Sequence, residues 1–378
     1  MQTKRILTSQ AVPGMIVADD IYTFNNQMIL AKGSKLTNRA ITRLKFYSIN
    51  DIRIDISEGE ADSNAEDTSP APTPATGKSV ASEITMEPLV EHVRKTKEFR
   101  SFHKEYNTTV TDFESSLKQI VTDKQAPLDT SALLKRTEGI LSHRRNGMHL
   151  FHMLHCMRDY QDETFAHSIS VAMICNAMGI WLKWPEDEVE KLTLAGLLHD
   201  IGKIYMPDTI LHKNGILSET EFSMIKTHPR KGYNVLRGQQ IDERIKLAAL
   251  MHHERCDGTG YPSNLVADRI DDFAKIVAIA DTYDAMTSPR IYRGPLCPFE
   301  VIQLFQSEGL TQYDPHYLMT FLDKTAETYL HSLVQLSDGR QGEIVLINHS
   351  DLSKPTIKVG DQYINLFKEK NLRITAML

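Results

Sequence analysis

Two adjacent histidines, His252 and His253, close an apolar helical stripe and open directly into a loop of turn formers. Ile241, Ile245, Ala248 and His252 recur at spacings of four, three and four, as one face of a helix does. The loop Glu254-Arg255-Cys256-Asp257-Gly258-Thr259-Gly260-Tyr261-Pro262 follows at once. Neutral imidazole is the commonest metal ligand, and a His-His pair at a helix end can serve two ions. A polar helix end with a flexible loop has the same local pattern, so these residues alone leave both possibilities open.

The same device recurs upstream. Glu163 and His167 lie four apart on one helical face. Trp184-Pro185-Glu186-Asp187-Glu188 opens a helix with proline early and acids in the first turn. That helix runs through Leu192, Leu194, Leu197 and Leu198 to His199-Asp200, and Gly202 suits a C-terminal cap. His228 follows an apolar run containing Phe222 and Ile225, and Asp281 sits within an apolar helix with Asp284 three residues on. Taken singly, each has an ordinary explanation. A core histidine is usually satisfied by a backbone carbonyl, and a Glu-x3-His pair is usually a helix-surface contact. A carboxylate inside an apolar helix, however, requires a cation or donors beside it. Five helical segments ending this way between residues 163 and 281 point to bound metal. The candidate ligands are Glu163, His167, His199, Asp200, His228, His252, His253 and Asp281. All are nitrogen or oxygen donors, a set that suits iron or manganese better than structural zinc.

The rest of the chain frames this segment. Residues 1–56 read as a small α/β module, with strands at Met15–Ala18 and Gln27–Leu30, an Asn25-Asn26 turn, a helix capped by Thr37 and an alternating strand at Asp51–Ile56. Residues 57–82 are rich in Ser, Ala, Pro, Asp and Glu and cannot bury enough surface to offset ordering entropy. They read as a disordered linker reaching about 25–30 Å. Residues 83–150 form a helical bridge, with Val110, Phe113, Leu117 and Ile120 on one stripe; such a bridge can carry a homodimer contact or lie solvated on one face. Residues 151–330 form the all-helical domain that carries the chemistry, and residues 331–378 a small β appendage around a Ser337–Arg340 hairpin turn. The fold class expected is therefore mainly α, with small N-terminal α/β and C-terminal β parts.

The net charge of −6 gives no broad basic surface for a nucleic-acid polymer. No apolar run approaches the ~20 residues of a membrane span. The four cysteines lack CxxC spacing and read as reduced thiols, which places the chain in the cytoplasm.

His199-Asp200, Lys203, His252-His253-Glu254-Arg255 and Gly260-Tyr261-Pro262, with His167, His228 and Asp281 in the same order, resemble the HD-GYP family of metal-dependent phosphodiesterases. His-Asp alone is shared by nucleotidohydrolases of many kinds; the combination is specific. Pro13 to Ile54 resembles the small domain often found ahead of HD-GYP domains. Cys256 departs from the family, whose members more often carry a bulky residue there.

The resemblance implies an HD-type helical fold and hydrolysis of cyclic di-GMP to pGpG and/or GMP. Asp200, with two carboxylate oxygens, would bridge two ions whose shared hydroxide attacks phosphorus. Lys203 is the first candidate for a phosphate contact and, with Asp200, for a catalytic role. Arg290 and Arg293 are further phosphate contacts by guanidinium geometry. Tyr261 and Asp284 match positions near substrate, and Asp284 has the alternative of orienting a ligand from behind. Family variation implies that a glutamate at Glu163 goes with a third ion, so two or three Fe or Mn ions are expected. Two competing readings are a phosphodiesterase for a hybrid cyclic dinucleotide and a non-catalytic sensor that signals through a partner protein. Degenerate relatives usually lose ligands, and this chain keeps them all, which favours the enzyme.

Overall fold

The computed structural model describes residues 3–22, 28–37, 40–41, 44, 49, 51–55, 93–122, 128–142, 147–157, 163–213, 215, 217–289, 294–369 and 371–378. The Asn25-Asn26 turn, the linker 57–82, Arg290 and Arg293 lie outside them. The chain divides into two compact units, Met1–Pro88 and Leu89–Leu378.

In the first unit, β5 (Asp51–Asp55) is the central strand of a sheet with β1 (Thr3–Leu7) and β2 (Ile16–Val17) on either side. Both neighbours run antiparallel to it, with Ile6 opposite Ile52 and Val17 opposite Ile54. Ile52 and Ile54 point to one face and pack with Val17, Leu36, Ile41 and Leu44. Alternation in β5 gave that strand away. The outer strand β1 was missed because its burial alternates weakly, with Ile6 alone turned inward. β3 (Ile21–Tyr22) and β4 (Met28–Leu30) form a separate two-stranded ribbon. The Thr37 hydroxyl accepts the Ala40 N–H at 3.0 Å, the capping contact expected of it.

The second unit is helical up to residue 328. Its described helices are α1 (Lys97–Thr122), α2 (Thr130–Ser142), α3 (Gly147–Met157), α4 (Glu163–Trp181), α5 (Glu186–Leu198), α6 (Glu219–Ile225), α7 (His228–Leu236), α8 (Glu243–Met251), α9 (Asp272–Thr287), α10 (Pro298–Leu304) and α11 (Pro315–Thr328), with single turns at Asp208–Leu211 and Leu310–Gln312. α4 is apolar on nearly every face and buried from Ala166 to Gly179. A helix of that kind belongs at the centre of a bundle, and α4 packs against α5, α9 and α1. α9 is the second central helix, buried from Ile276 through Asp284. Side-chain caps set several helix starts: Ser218 and Glu221 make a capping box before α6, and Asp242, Asp271 and Asp314 accept backbone N–H groups at the starts of α8, α9 and α11.

The segment read as a helical bridge is part of this bundle. The buried Tyr106 hydroxyl on α1 donates to the Ala166 carbonyl at 2.6 Å and lies 2.9 Å from Ser170 Oγ. Phe113 meets Phe165 edge-on at 6.1 Å between ring centroids. The C-terminal appendage is a five-stranded antiparallel sheet in the order β10-β6-β7-β8-β9, built from Leu333–Leu336 (β6), Gln341–Leu346 (β7), Thr356–Val359 (β8), Gln362–Asn365 (β9) and Ile374–Met377 (β10). The hairpin around Ser337–Arg340 was legible; β8 to β10 were not. Among the described residues, no helix is long and apolar enough to cross a membrane.

Arg244 ties three of these helices together. Its guanidinium forks onto both oxygens of Glu188 on α5, at 2.5 and 2.9 Å, bonds Asp242, and covers the Phe273 ring of α9 at 4.5 Å. The Arg244 and Lys191 bonds hold the Glu188 carboxyl at about 2, below its ordinary value. Arg244→Met is expected to destabilise the fold by roughly 1–2 kcal/mol at neutral pH, since the ions are partly solvated. A carboxyl with a lowered native pKa contributes stability above its unfolded pKa of about 4.3 and loses it as pH falls through the native value. The gap between wild type and variant should therefore close as pH is lowered toward 2, as read by denaturant melts across that window.

Candidate active site

The fold brings five helix ends or interiors to one buried cluster, and each local structure explains its side chain. α5 stops at His199, and Asp200 begins the short turn Ile201–Tyr205. His228 is the first residue of α7, and His252 follows the last turn of α8. His167 lies one turn into α4, and Asp281 lies in the middle of α9.

Ligand atoms of Asp200, His228, His252 and His253 form one cluster, and those of His167, His199 and Asp281 another; within each, all lie within 4.8 Å of one another. Asp200 joins the two. Its Oδ1 faces His228 Nε2 at 3.2 Å and His252 Nε2 at 3.7 Å, and its Oδ2 faces His199 Nε2 at 3.3 Å and His167 Nε2 at 3.9 Å. Asp281 reaches across as well, with Oδ1 3.0 Å from His167 Nε2 and Oδ2 3.9 Å from His253 Nδ1.

The imidazoles are oriented from behind. Nδ1 of His199 bonds the Gly196 carbonyl at 2.7 Å, Nδ1 of His228 the Ile225 carbonyl at 2.7 Å, and Nδ1 of His252 the carbonyls of Ala248 and Ala249 at 3.1 Å. A carbonyl can only accept, so each Nδ1 carries the proton and each Nε2 presents a lone pair to the centre. His228 Nε2 and His252 Nε2 then face one another at 3.3 Å. Two lone pairs at that distance repel unless a cation lies between or beside them. His199 Nε2 and Asp200 Oδ1 are buried and make no hydrogen bond. A buried cluster with these orphaned acceptors fits divalent metal.

The electrostatics agree. Burial works against ionisation of Asp200, but the Lys203 ammonium holds its carboxyl well below the usual range. Burial likewise opposes ionisation of Asp281, and His167 outweighs it. Burial pushes His252 down to about 4 and holds His253 well below its ordinary value, keeping both imidazoles neutral. On His167 burial is overcome by the bonds to Asp281 and Asp284, and its pKa rises to about 9.

Other candidate residues fall into distinct places. Lys203 points its ammonium at Asp200 Oδ2. Tyr261 stacks on His253, with centroids 4.6 Å apart and planes at 26°. Asp284 lies where the alternative reading put it, behind a candidate ligand. It is buried behind His167, with Oδ2 2.7 Å from Nδ1, and aims Nε2 at the centre. Gly202 is corrected: it is no left-handed cap but a point of close approach, where a Cβ would meet the His228 carbonyl oxygen at 2.0 Å. Glu163 is the first residue of α4; its side chain lies outside the described set, as do Arg290 and Arg293.

Sequence reasoning passed over Glu254. It is buried, and its two oxygens accept the Ser263 and Leu265 N–H groups at 2.7 and 2.9 Å, pinning the loop that carries Tyr261. The signal was available: a tight loop rich in backbone donors needs an acceptor, and Glu254 stands at its mouth.

A cavity of about 630 Å³ opens on Asp200 and Lys203. Ile201, Ile204, Asp208 and His212 line one side, and α1 supplies a second wall through Tyr106, Asn107, Val110, Thr111, Glu114, Leu117 and Lys118.

A helical bundle thus delivers histidines and aspartates from five segments to one buried cluster that could hold metal ions. Residues 143–317 match the HD domain family, and the matched segment contains His199-Asp200 and Gly260-Tyr261-Pro262. The family match begins at residue 143, so the resemblance of Pro13 to Ile54 to a companion module rests on sequence alone.

The chain is 35% identical over 204 residues to a cyclic di-GMP phosphodiesterase of Pseudomonas aeruginosa, covering 54% of this chain and 49% of that one. It is 48% identical over 110 residues to the cyclic di-GMP phosphodiesterase response regulator RpfG of Xanthomonas campestris, 29% of each chain. It is 39% identical over 148 residues to a 3'3'-cGAMP-specific phosphodiesterase of Vibrio cholerae, 38% of this chain and 34% of that one. The matches thus span about half or less of these curated relatives.

Proposed function

We propose that this chain is a metal-dependent phosphodiesterase that opens cyclic di-GMP to pGpG and/or GMP. The observation that carries it is Asp200, which turns one oxygen to each histidine cluster and borders a cavity that also holds Lys203. The volume falls in the range of small-ligand pockets, and cyclic di-GMP phosphodiesterases are among its relatives.

His167, His199, Asp200, His228, His252, His253 and Asp281 would hold the ions, with iron or manganese favoured by the donor set. Bound divalent ions supply the Lewis acidity that lowers the pKa of water and offsets charge on phosphate. The protein does the rest. Asp284 and the backbone carbonyls of Gly196, Ile225 and Ala248 hold the imidazoles in place. Lys203, only 23% exposed, offers its ammonium to a phosphate oxygen once substrate competes for it with Asp200. Arg290 and Arg293 would add guanidinium contacts. Tyr261, held by the Glu254-pinned loop, covers His253 and limits access of bulk water. Hydrolysis of one P–O3′ bond consumes one water and gives pGpG; a second gives GMP.

None of the four cysteines is in a disulfide, and Cys156, Cys175 and Cys297 are buried. Cysteines kept as thiols suit a reducing compartment, and we place the activity in the cytoplasm. The Vibrio cholerae relative makes a hybrid cyclic dinucleotide the second substrate to try. The test is to load the protein with iron or manganese without oxygen, add each dinucleotide, and resolve the products. Turnover of cyclic di-GMP to pGpG or GMP is expected; intact substrate would overturn the proposal.

Glu163 extends the proposal to three ions. It lies one helical turn before His167 on α4, so both can serve one cavity. Elemental analysis should find three ions per chain in the wild type and two in Glu163→Ala. Two in both would limit the site to a pair.

A further inference from the structure

Asp200 and Lys203 bring one side of the cavity to the candidate metal cluster, and α1 forms the other side. Asn107, Thr111, Glu114 and Lys118 line it at spacings of four, three and four, so they share one face of that helix. The stripe extends about 16 Å, further than a single phosphate group needs. The core-facing stripe beside it, including Phe113 and Leu117, is buried. α1 ends at residue 122, before the HD match begins at 143, so this wall lies outside the matched segment and is placed to choose what enters.

At the cavity rim Glu114 and Lys118 form an ion pair at 2.7 Å, with side chains 36% and 67% exposed. An exposed i,i+4 pair contributes little to stability, and a ligand can compete for both groups. The pair offers an acceptor-only carboxylate beside a donor-only ammonium. Guanine presents the complement on one edge: O6 accepts, while N1–H and the N2 amine donate. Adenine presents an N6 amine and a bare N1, which leaves one carboxylate oxygen facing a lone pair.

We propose that Glu114 and Lys118 are specificity-determining residues that read the guanine edge of the substrate, Glu114 accepting from N1–H and N2–H and Lys118 donating to O6. This rests on the phosphodiesterase reading above and adds to it which base is chosen and by which helix.

The test compares kcat and KM for cyclic di-GMP, 3'3'-cGAMP and cyclic di-AMP in metal-loaded wild type, Glu114→Gln and Lys118→Met. A carboxamide has nearly the size of the carboxylate but pairs one donor and one acceptor, the pattern adenine matches. Glu114→Gln should lower the preference for cyclic di-GMP over cyclic di-AMP by about tenfold, the worth of one good base contact. The loss should fall in KM rather than kcat, as removal of a ground-state contact does. Lys118→Met should raise KM for cyclic di-GMP with metal content unchanged. Wild-type turnover with the same base preference in both variants would overturn this assignment alone, and so would a loss confined to kcat or metal content. A wild type that hydrolyses no cyclic dinucleotide would overturn the phosphodiesterase reading and this assignment with it.

Discussion

Asp200→Ala is expected to lose bound metal and more than ~100-fold of turnover, since even a residue that only orients a ligand costs 10–100-fold when removed. Asp200 is more than that. Each of its oxygens faces a different pair of imidazoles, so the substitution strips an anion from both clusters at once. It also releases Lys203 from its carboxylate partner. His199→Ala should behave alike, because His199 lies 3.3 Å from Asp200 Oδ2 and 4.0 Å from Asp281 Oδ1. Elemental analysis and product assay on the same preparations decide the matter. Near-normal turnover with normal metal content in either variant would remove the metal-hydrolase assignment.

Gly202→Ala should be nearly as damaging although its side chain is a single methyl. A Cβ there would lie 2.0 Å from the His228 carbonyl oxygen and 2.6 Å from the Gly232 nitrogen, both backbone atoms. The Ile201–Tyr205 turn and α7 therefore touch backbone to backbone, which brings His228 against Asp200. Backbone must shift, and overpacking of this kind costs about 2–3 kcal/mol. The displaced element begins with a candidate ligand, so metal affinity and activity should fall with stability. Gly238→Ala is the control: nothing lies within 4 Å of its Cβ position. A Gly202→Ala protein with wild-type melting and metal content would show that the two segments separate without consequence.

What was legible in the sequence follows from the range of each signal. Helical periodicity in α5, α8 and α9 is local, so it located those helices and the polar groups on them. Alternation likewise located β5, whereas β1 and β8 to β10 carry weaker alternation and were missed. The long-range partners were not legible. Asp284 meets His167 across 117 positions, and Tyr106 reaches Ala166 across 60. Nothing in the composition of α1 says that one of its faces closes a cavity on Asp200 and Lys203.

The sequence by itself determined which side chains are available for the centre, because a carboxylate or imidazole at the end of an apolar stripe must be satisfied wherever that stripe is buried. The tertiary structure alone decided how they pair. It set Asp200 between the clusters, Asp284 behind His167, Glu254 under the Tyr261 loop and Gly202 against His228. Those relations depend on the packing of helices distant in sequence, where a contact leaves no periodic trace in either partner.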